Sequence, residues 1–263
     1  MSLPSDLQTT LDRVRDAVAA DPRFVGLAVG GSLLTGDVDA YSDLDLVVVV
    51  SEAAHADVMD DRVAIAAGWG SLVAAFTGEH VGEPRLLICL YDDPLVHVDL
   101  KFVTADELAV RIEDPVVLWE RGDEVSAAIA QSAPLAPVAD PQWIEDRFWV
   151  WVHYGAAKLG RGELFEVLEL LAFLRAAALA ALLSSVEDTP VRGVRRLEQR
   201  YPDRVTALSG TTAVYDRDSC VDALRACVQA YRALRDLVAT PVVRRDDAER
   251  LAIAYLAEVA GDR

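Results

Sequence analysis

The chain has 263 residues, 52% hydrophobic and 26% charged, a composition that supports one large core or two smaller ones and excludes a disordered polymer. Its formal net charge of −18 is concentrated in residues 1–140, where 25 acidic residues stand against 8 basic ones; residues 141–263 carry 18 against 17. So acidic a first half repels a phosphate backbone, which argues against nucleic acid as a partner and favours metal ions and cationic small molecules.

No run is expected to be long and apolar enough to span a bilayer, and the opening Met1-Ser2-Leu3-Pro4-Ser5-Asp6 lacks the basic and apolar regions of a leader. Cys89, Cys220 and Cys227 are odd in number and have no metal-ligand spacing. Reduced, buried thiols in a cytoplasmic protein without a membrane partner are expected.

Leu7, Leu11, Val14 and Val18 fall at helical spacing and predict an N-terminal helix ending near Asp21-Pro22. Phe24 to Val29 predicts a first strand running into Gly30-Gly31-Ser32, and Ser32 a short helix. Leu44 to Val50 predicts a second strand, its unbroken apolar run pointing to burial on both faces. Residues 53–76 read as helical, rich in Ala and Val. Arg85 to Tyr91 and Leu95 to Val103 predict a hairpin across Asp92-Asp93-Pro94. Thr104, with Glu107 three residues on, has the form of a capping box for a helix starting at Ala105. Pro134, Pro137 and Pro141 interrupt all periodicity between Gln131 and Pro141, which reads as a linker. Beyond it helices are predicted over Trp143 to Leu159, Glu163 to Leu183, Val191 to Arg200, Cys220 to Val238 and Asp246 to Val259, enough for a bundle. The fold class is α+β: a first domain over residues 1–135 with a mixed sheet flanked by helices, then a helical bundle domain over residues 141–263.

Three features carry chemistry. Asp43 and Asp45, at i and i+2 beside the second strand, project to one face about 6–7 Å apart and repel unless a cation lies between them. The Gly30-Gly31-Ser32 turn offers amides and a hydroxyl to an anion. Val96 to Val103 alternates strictly, placing His97, Asp99 and Lys101 on the face opposite Val96, Val98, Leu100 and Phe102. If that strand pairs beside the second, Asp99 completes a carboxylate trio able to bind two metal ions. A divalent metal beside a phosphate-sized pocket is the equipment of phosphoryl or nucleotidyl transfer.

Gly-Gly-Ser, a nine-residue spacer, Ser42-Asp43-Leu44-Asp45-Leu46 and a later strand bearing Asp99 together resemble the nucleotidyltransferase superfamily of DNA polymerase β-like enzymes. Within it, the chain looks most like the small antibiotic nucleotidyltransferases that act on aminoglycosides and lincosamides, with a helical domain behind the catalytic one. The motif-bearing resemblance spans residues 23–103, and Tyr154 to Arg175 has the look of the helical half. It implies transfer of a nucleoside monophosphate, AMP from ATP in the first instance, to a small-molecule hydroxyl, with release of pyrophosphate. Asp43, Asp45 and Asp99 would hold two Mg²⁺ ions, and Gly31 and Ser32 would meet the terminal phosphates. Asp99 would also take the hydroxyl proton, with His97 as runner-up base. In one departure from the family, residues 33–41 carry Asp37 and Asp39 but no base.

Only two lysines stand among 23 arginines, Lys101 on the Asp99 face and Lys158 in the helical half, and both are candidates to meet triphosphate charge. Tyr154, Lys158 and Arg161 share a helix face. Glu163, Glu166 and Glu169 follow at intervals of three and could attract a cationic acceptor. The cluster Phe148, Trp149, Trp151 and Tyr154 is expected as interdomain core. Rival readings are a protein AMP-transferase or antitoxin-type nucleotidyltransferase, and a catalytically silent nucleotide-binding module. A homodimer is compatible with all of them.

Overall fold

The computed structural model describes residues 3–261. Met1 and Ser2, where the absence of a leader is read, and the outer limits of both expected domains lie outside the described residues. By its internal contacts the chain divides into two units, one ending at Leu135 and the next beginning at Ala136.

The first unit is built on α1 (Ser5–Ala20), β1 (Phe24–Val29), α2 (Ser32–Thr35), β2 (Leu44–Val50), α3 (His55–Gly68), β3 (Ser71–Gly78), β4 (Glu83–Asp92), β5 (Val96–Val103), α4 (Ala105–Leu108), β6 (Val116–Glu120) and α5 (Glu124–Ala130). The strands form one mixed sheet in the order β3-β4-β5-β2-β1-β6. Only β2 and β5 pair in parallel; every other neighbour is antiparallel. The expected α+β arrangement is what the chain adopts.

Alternation decides which face of the sheet does what. Leu44, Leu46, Val48 and Val50 of β2 and Val96, Val98, Leu100 and Phe102 of β5 pack under α1 and α3, with Leu7, Leu11, Val14, Val18 and Val58 opposite them. On the other face Val47, Val49 and Val103 meet Leu108 of α4 and Val125 and Ala128 of α5. That cap covers only the later part of the strands. Earlier on the same face stand Asp45 and Asp99, each half-buried. Thr104 caps α4 as its sequence predicts, accepting from the Glu107 amide while Glu107 accepts from its own.

Several expectations need correction. The helix predicted over residues 53–76 stops at Gly68, and Ser71–Gly78 is the edge strand β3. Trp69 tucks into the core beneath the sheet, and Gly70 approaches so near the Arg13 guanidinium that a side chain there would collide with it. The strand β6 and the helix α5 were not predicted; β6 is the other edge, paired to β1.

The second unit comprises α6 (Pro141–Arg161), α7 (Leu164–Leu174), a π-helical segment (Arg175–Leu179), α8 (Ala180–Val186), α9 (Leu197–Arg200), α10 (Pro202–Ser209), α11 (Arg217–Arg235) and α12 (Asp246–Ala260). Pro141 takes the first-turn position of α6, Asp140 caps it, and Gly162 closes it in the left-handed conformation, the helix running to Arg161, two residues past its predicted end at Leu159. Residues 191–196 are not helical as predicted; Gly193 and Arg196 both have positive φ there. The α7–α8 run, Leu164–Val186, is long and apolar enough to cross a membrane, contrary to the sequence reading. More than half of it is buried, because Val167, Leu170, Leu171, Leu174 and Leu182 fill the bundle core. Phe148 and Trp149 lie in that same core against Tyr231, not in an interdomain core as expected; Phe148 and Tyr231 stack at 3.7 Å between ring centroids. Tyr154 is exposed.

Candidate active site

Parallel pairing of β2 with β5 sets Asp45 directly against Asp99 in register. Neighbouring strands lie about 4.8 Å apart, so two carboxylates are held side by side on one face of the sheet. Asp43 precedes Asp45 by two residues, just before β2 begins. The approach to it is shaped by Asp39, whose carboxylate accepts from the Tyr41 amide at 2.8 Å and the Ser42 hydroxyl at 3.2 Å. One of the two acids in residues 33–41 thus orders its own loop.

The Gly-Gly-Ser turn packs against this pair. The Gly30 amide donates to the Asp45 carbonyl at 2.9 Å. A Cβ on Gly31 would fall 1.7 Å from Asp45 Oδ2, and one on Gly30 would fall 3.1 Å from Glu113 Oε1. Gly31 therefore admits no side chain beside Asp45, while Gly30 lets the Glu113 carboxylate pack closely. Gly31 also adopts φ 64° and ψ −138°, a conformation that other residues enter only under strain. Gly31→Ala is expected to cost about 1–3 kcal/mol from backbone strain alone. It would also push the Asp45 carboxylate aside, and a urea denaturation curve read beside a turnover assay checks both effects. The Ser32 hydroxyl is buried and has no hydrogen-bond partner among the described residues. A buried hydroxyl left without a partner is costly, which suits a position that a ligand satisfies.

Glu113 is the residue the sequence reading missed. It comes from the loop between α4 and β6 and accepts the Gly31 amide at 2.8 Å. Nothing local in Arg111-Ile112-Glu113-Asp114-Pro115 signals this, because tertiary structure alone brings the loop to the turn.

Asp99 accepts at Oδ1 from His97 Nε2, at 2.9 Å. Lys101, on the same face, gives its ammonium to Glu83 at 2.7 Å, and Glu83 also takes a two-pronged bond from Arg85. Arg85 foremost, and Lys101 with it, holds the Glu83 carboxyl down at about 2 against the opposing effect of burial. Lys158 belongs to the second unit, where it pairs with Glu163 at 2.5 Å and Glu166 at 3.6 Å beneath the Tyr154 ring.

Among the described residues no three His, Cys, Asp or Glu side chains are gathered closely enough to enclose a metal ion. The donor chemistry nevertheless fits a hard divalent cation: oxygen ligands only, two of them like-charged neighbours in adjacent strands.

No family model matches the chain, and no curated protein does. Among solved structures it is similar to an aminoglycoside 6-adenyltransferase from Bacillus subtilis, at 16% identity and a TM-score of 0.41, covering 98% of this chain and 99% of that one. A nucleotidyltransferase-like protein from Exiguobacterium sibiricum is similar at 13% identity and a TM-score of 0.35, with 97% and 80% covered. A spectinomycin adenyltransferase from Enterococcus faecialis, solved with ATP and spectinomycin, follows at 12% and 0.28, with 97% and 99% covered. Likeness at TM-scores below 0.5 leaves the reading of the site to its geometry.

Proposed function

We propose that the chain is a metal-dependent nucleotidyltransferase that moves AMP from ATP to a hydroxyl of a small, cationic acceptor of the aminoglycoside or lincosamide type. The reading rests above all on the parallel register that faces Asp45 with Asp99 beside a turn that only glycine can form. Asp43, Asp45 and Asp99 would hold Mg²⁺, which supplies positive charge to the phosphoryl oxygens when bound. The Gly31 amide and the Ser32 hydroxyl bind β- and γ-phosphate oxygens. Lys101 is the candidate in this unit for the remaining triphosphate charge, and it would have to share its ammonium with Glu83.

The acceptor oxygen forms a bond to the α-phosphorus as the bond from that phosphorus to the β-bridging oxygen breaks. Pyrophosphate leaves, and Asp99 receives the hydroxyl proton. An acidic first half gathers cationic acceptors.

The test is pyrophosphate release from ATP and Mg²⁺ across a panel of aminoglycosides and lincosamides. Release that depends on acceptor and disappears with EDTA is expected. No release with any acceptor, together with labelling of protein bands when labelled ATP is added to a lysate, would overturn the small-molecule reading.

A further inference from the structure

Glu113 stands on the amide that the proposed reaction needs for phosphate. We propose that Glu113 tunes the affinity of the turn for polyphosphate: its carboxylate competes for the Gly31 amide, so that ATP and pyrophosphate must displace it to settle there. The inference deepens the nucleotidyltransferase reading and rests on it.

The Gly31 N–H points along one direction and donates to Glu113 Oε1 at 2.8 Å. A phosphate oxygen on that donor and the Glu113 carboxylate exclude each other sterically and by charge. The absence of a Cβ on Gly30 lets the carboxylate come this near, since one would lie 3.1 Å from Oε1. The loop carrying Glu113 is anchored two residues away. Arg111 is buried and donates to the Ile129 carbonyl at 2.8 Å, the Ser132 carbonyl at 2.5 Å and Asp114 Oδ1 at 2.6 Å. With the backbone pinned, displacement falls to the Glu113 side chain, which swings away when phosphate arrives and returns when pyrophosphate leaves.

A triphosphate places β- and γ-phosphates on the turn and displaces the carboxylate; a monophosphate held at the α-position has nothing to displace it with. Glu113 thus weakens every nucleotide that needs the Gly31 amide. By filling the turn as pyrophosphate departs, it also favours release of that product.

The experiment is calorimetric titration of a non-hydrolysable ATP analogue, of AMP and of pyrophosphate, all with Mg²⁺, into wild type, Glu113→Gln and Glu113→Ala. Glu113→Ala is expected to tighten the analogue and pyrophosphate by at least about fivefold, the lower end of usual coupling between exclusive ligands, and to leave AMP within about twofold. Glu113→Gln keeps an acceptor oxygen without the charge and falls between. In turnover, KM for ATP drops in the same order. Unchanged or weaker analogue binding in a Glu113→Ala protein that melts like wild type overturns the inference and leaves the nucleotidyltransferase reading standing. If neither wild type nor Glu113→Ala binds the analogue or pyrophosphate, both fall together.

Discussion

Asp99→Asn is expected to lower acceptor-dependent pyrophosphate release by at least about 10²-fold, the scale on which one preorganised electrostatic group is felt in a transition state. The same substitution should leave the melting temperature of metal-free protein unchanged or slightly higher. Both outcomes follow from the register of β2 and β5. Asp45 and Asp99 are neighbours of like charge, and a directly opposed pair of that kind is destabilising on a scale of about 0.2–1 kcal/mol. Asparagine retains an oxygen for His97 Nε2, so the local bond to that ring survives. What it removes is the charge that would hold a cation and accept a proton. Adding Mg²⁺ to wild type should raise its melting temperature, whereas Asp99→Asn should gain little. A wild-type rate in Asp99→Asn would falsify the role given to the pair.

The largest stability effect is expected far along the chain from these residues. Glu145→Ala should destabilise the helical unit by about 3–5 kcal/mol, read by urea denaturation followed through tryptophan fluorescence. The Glu145 side chain is fully buried, and Arg235, only 5% exposed, stands 3.2 Å from its Oε2. Trp149 Nε1 at 3.1 Å, the Arg245 amide at 2.8 Å and the Tyr231 hydroxyl also donate to it. A second carboxylate, Glu249, meets Arg235 at 2.8 Å, so one ionic knot joins α6, α11 and α12. Truncating Glu145 leaves the buried guanidinium with Glu249 and the more distant Asp236, 3.7 Å from its Nε, as its acids. Burial alone would raise the Glu145 carboxyl, but the Arg245 amide, Tyr231, Trp149 and Arg235 outweigh it and hold it below its ordinary 4.5. Its contribution is therefore complete above that ordinary value and is lost as pH falls through the depressed one. The gap between wild type and Glu145→Gln should be constant near neutral pH and close in acid.

How far the fold could be read beforehand depended on how locally each element declares itself. Strict alternation from Val96 to Val103 made the buried and ionic faces of β5 legible, and the capping pair Thr104 and Glu107 did the same for α4. The edge strand β3 was not legible, since its Leu72, Val73, Ala74 and Ala75 continue the composition of α3 and its side chains are largely exposed. Lys101 was legible as a cation on the Asp99 face, whereas its pairing with Glu83 exists only once β4 lies beside β5. Glu113 had no local signature at all. The apolar run from Leu164 to Val186 shows the same limit in reverse: composition alone permits a membrane span, and only the bundle reveals where those leucines go.

The parallel pairing of β2 with β5 has a consequence for how the protein comes into being. Parallel strands cannot be joined by a tight turn, and here α3 and the β3–β4 hairpin lie in the chain between them. Asp45 and Asp99 therefore meet through a contact of long sequence separation, the slow kind to form. A nascent chain that has emerged only as far as β4 carries Asp43 and Asp45 but not Asp99. The proposed metal site is therefore complete only when the sheet is, and not with any single segment.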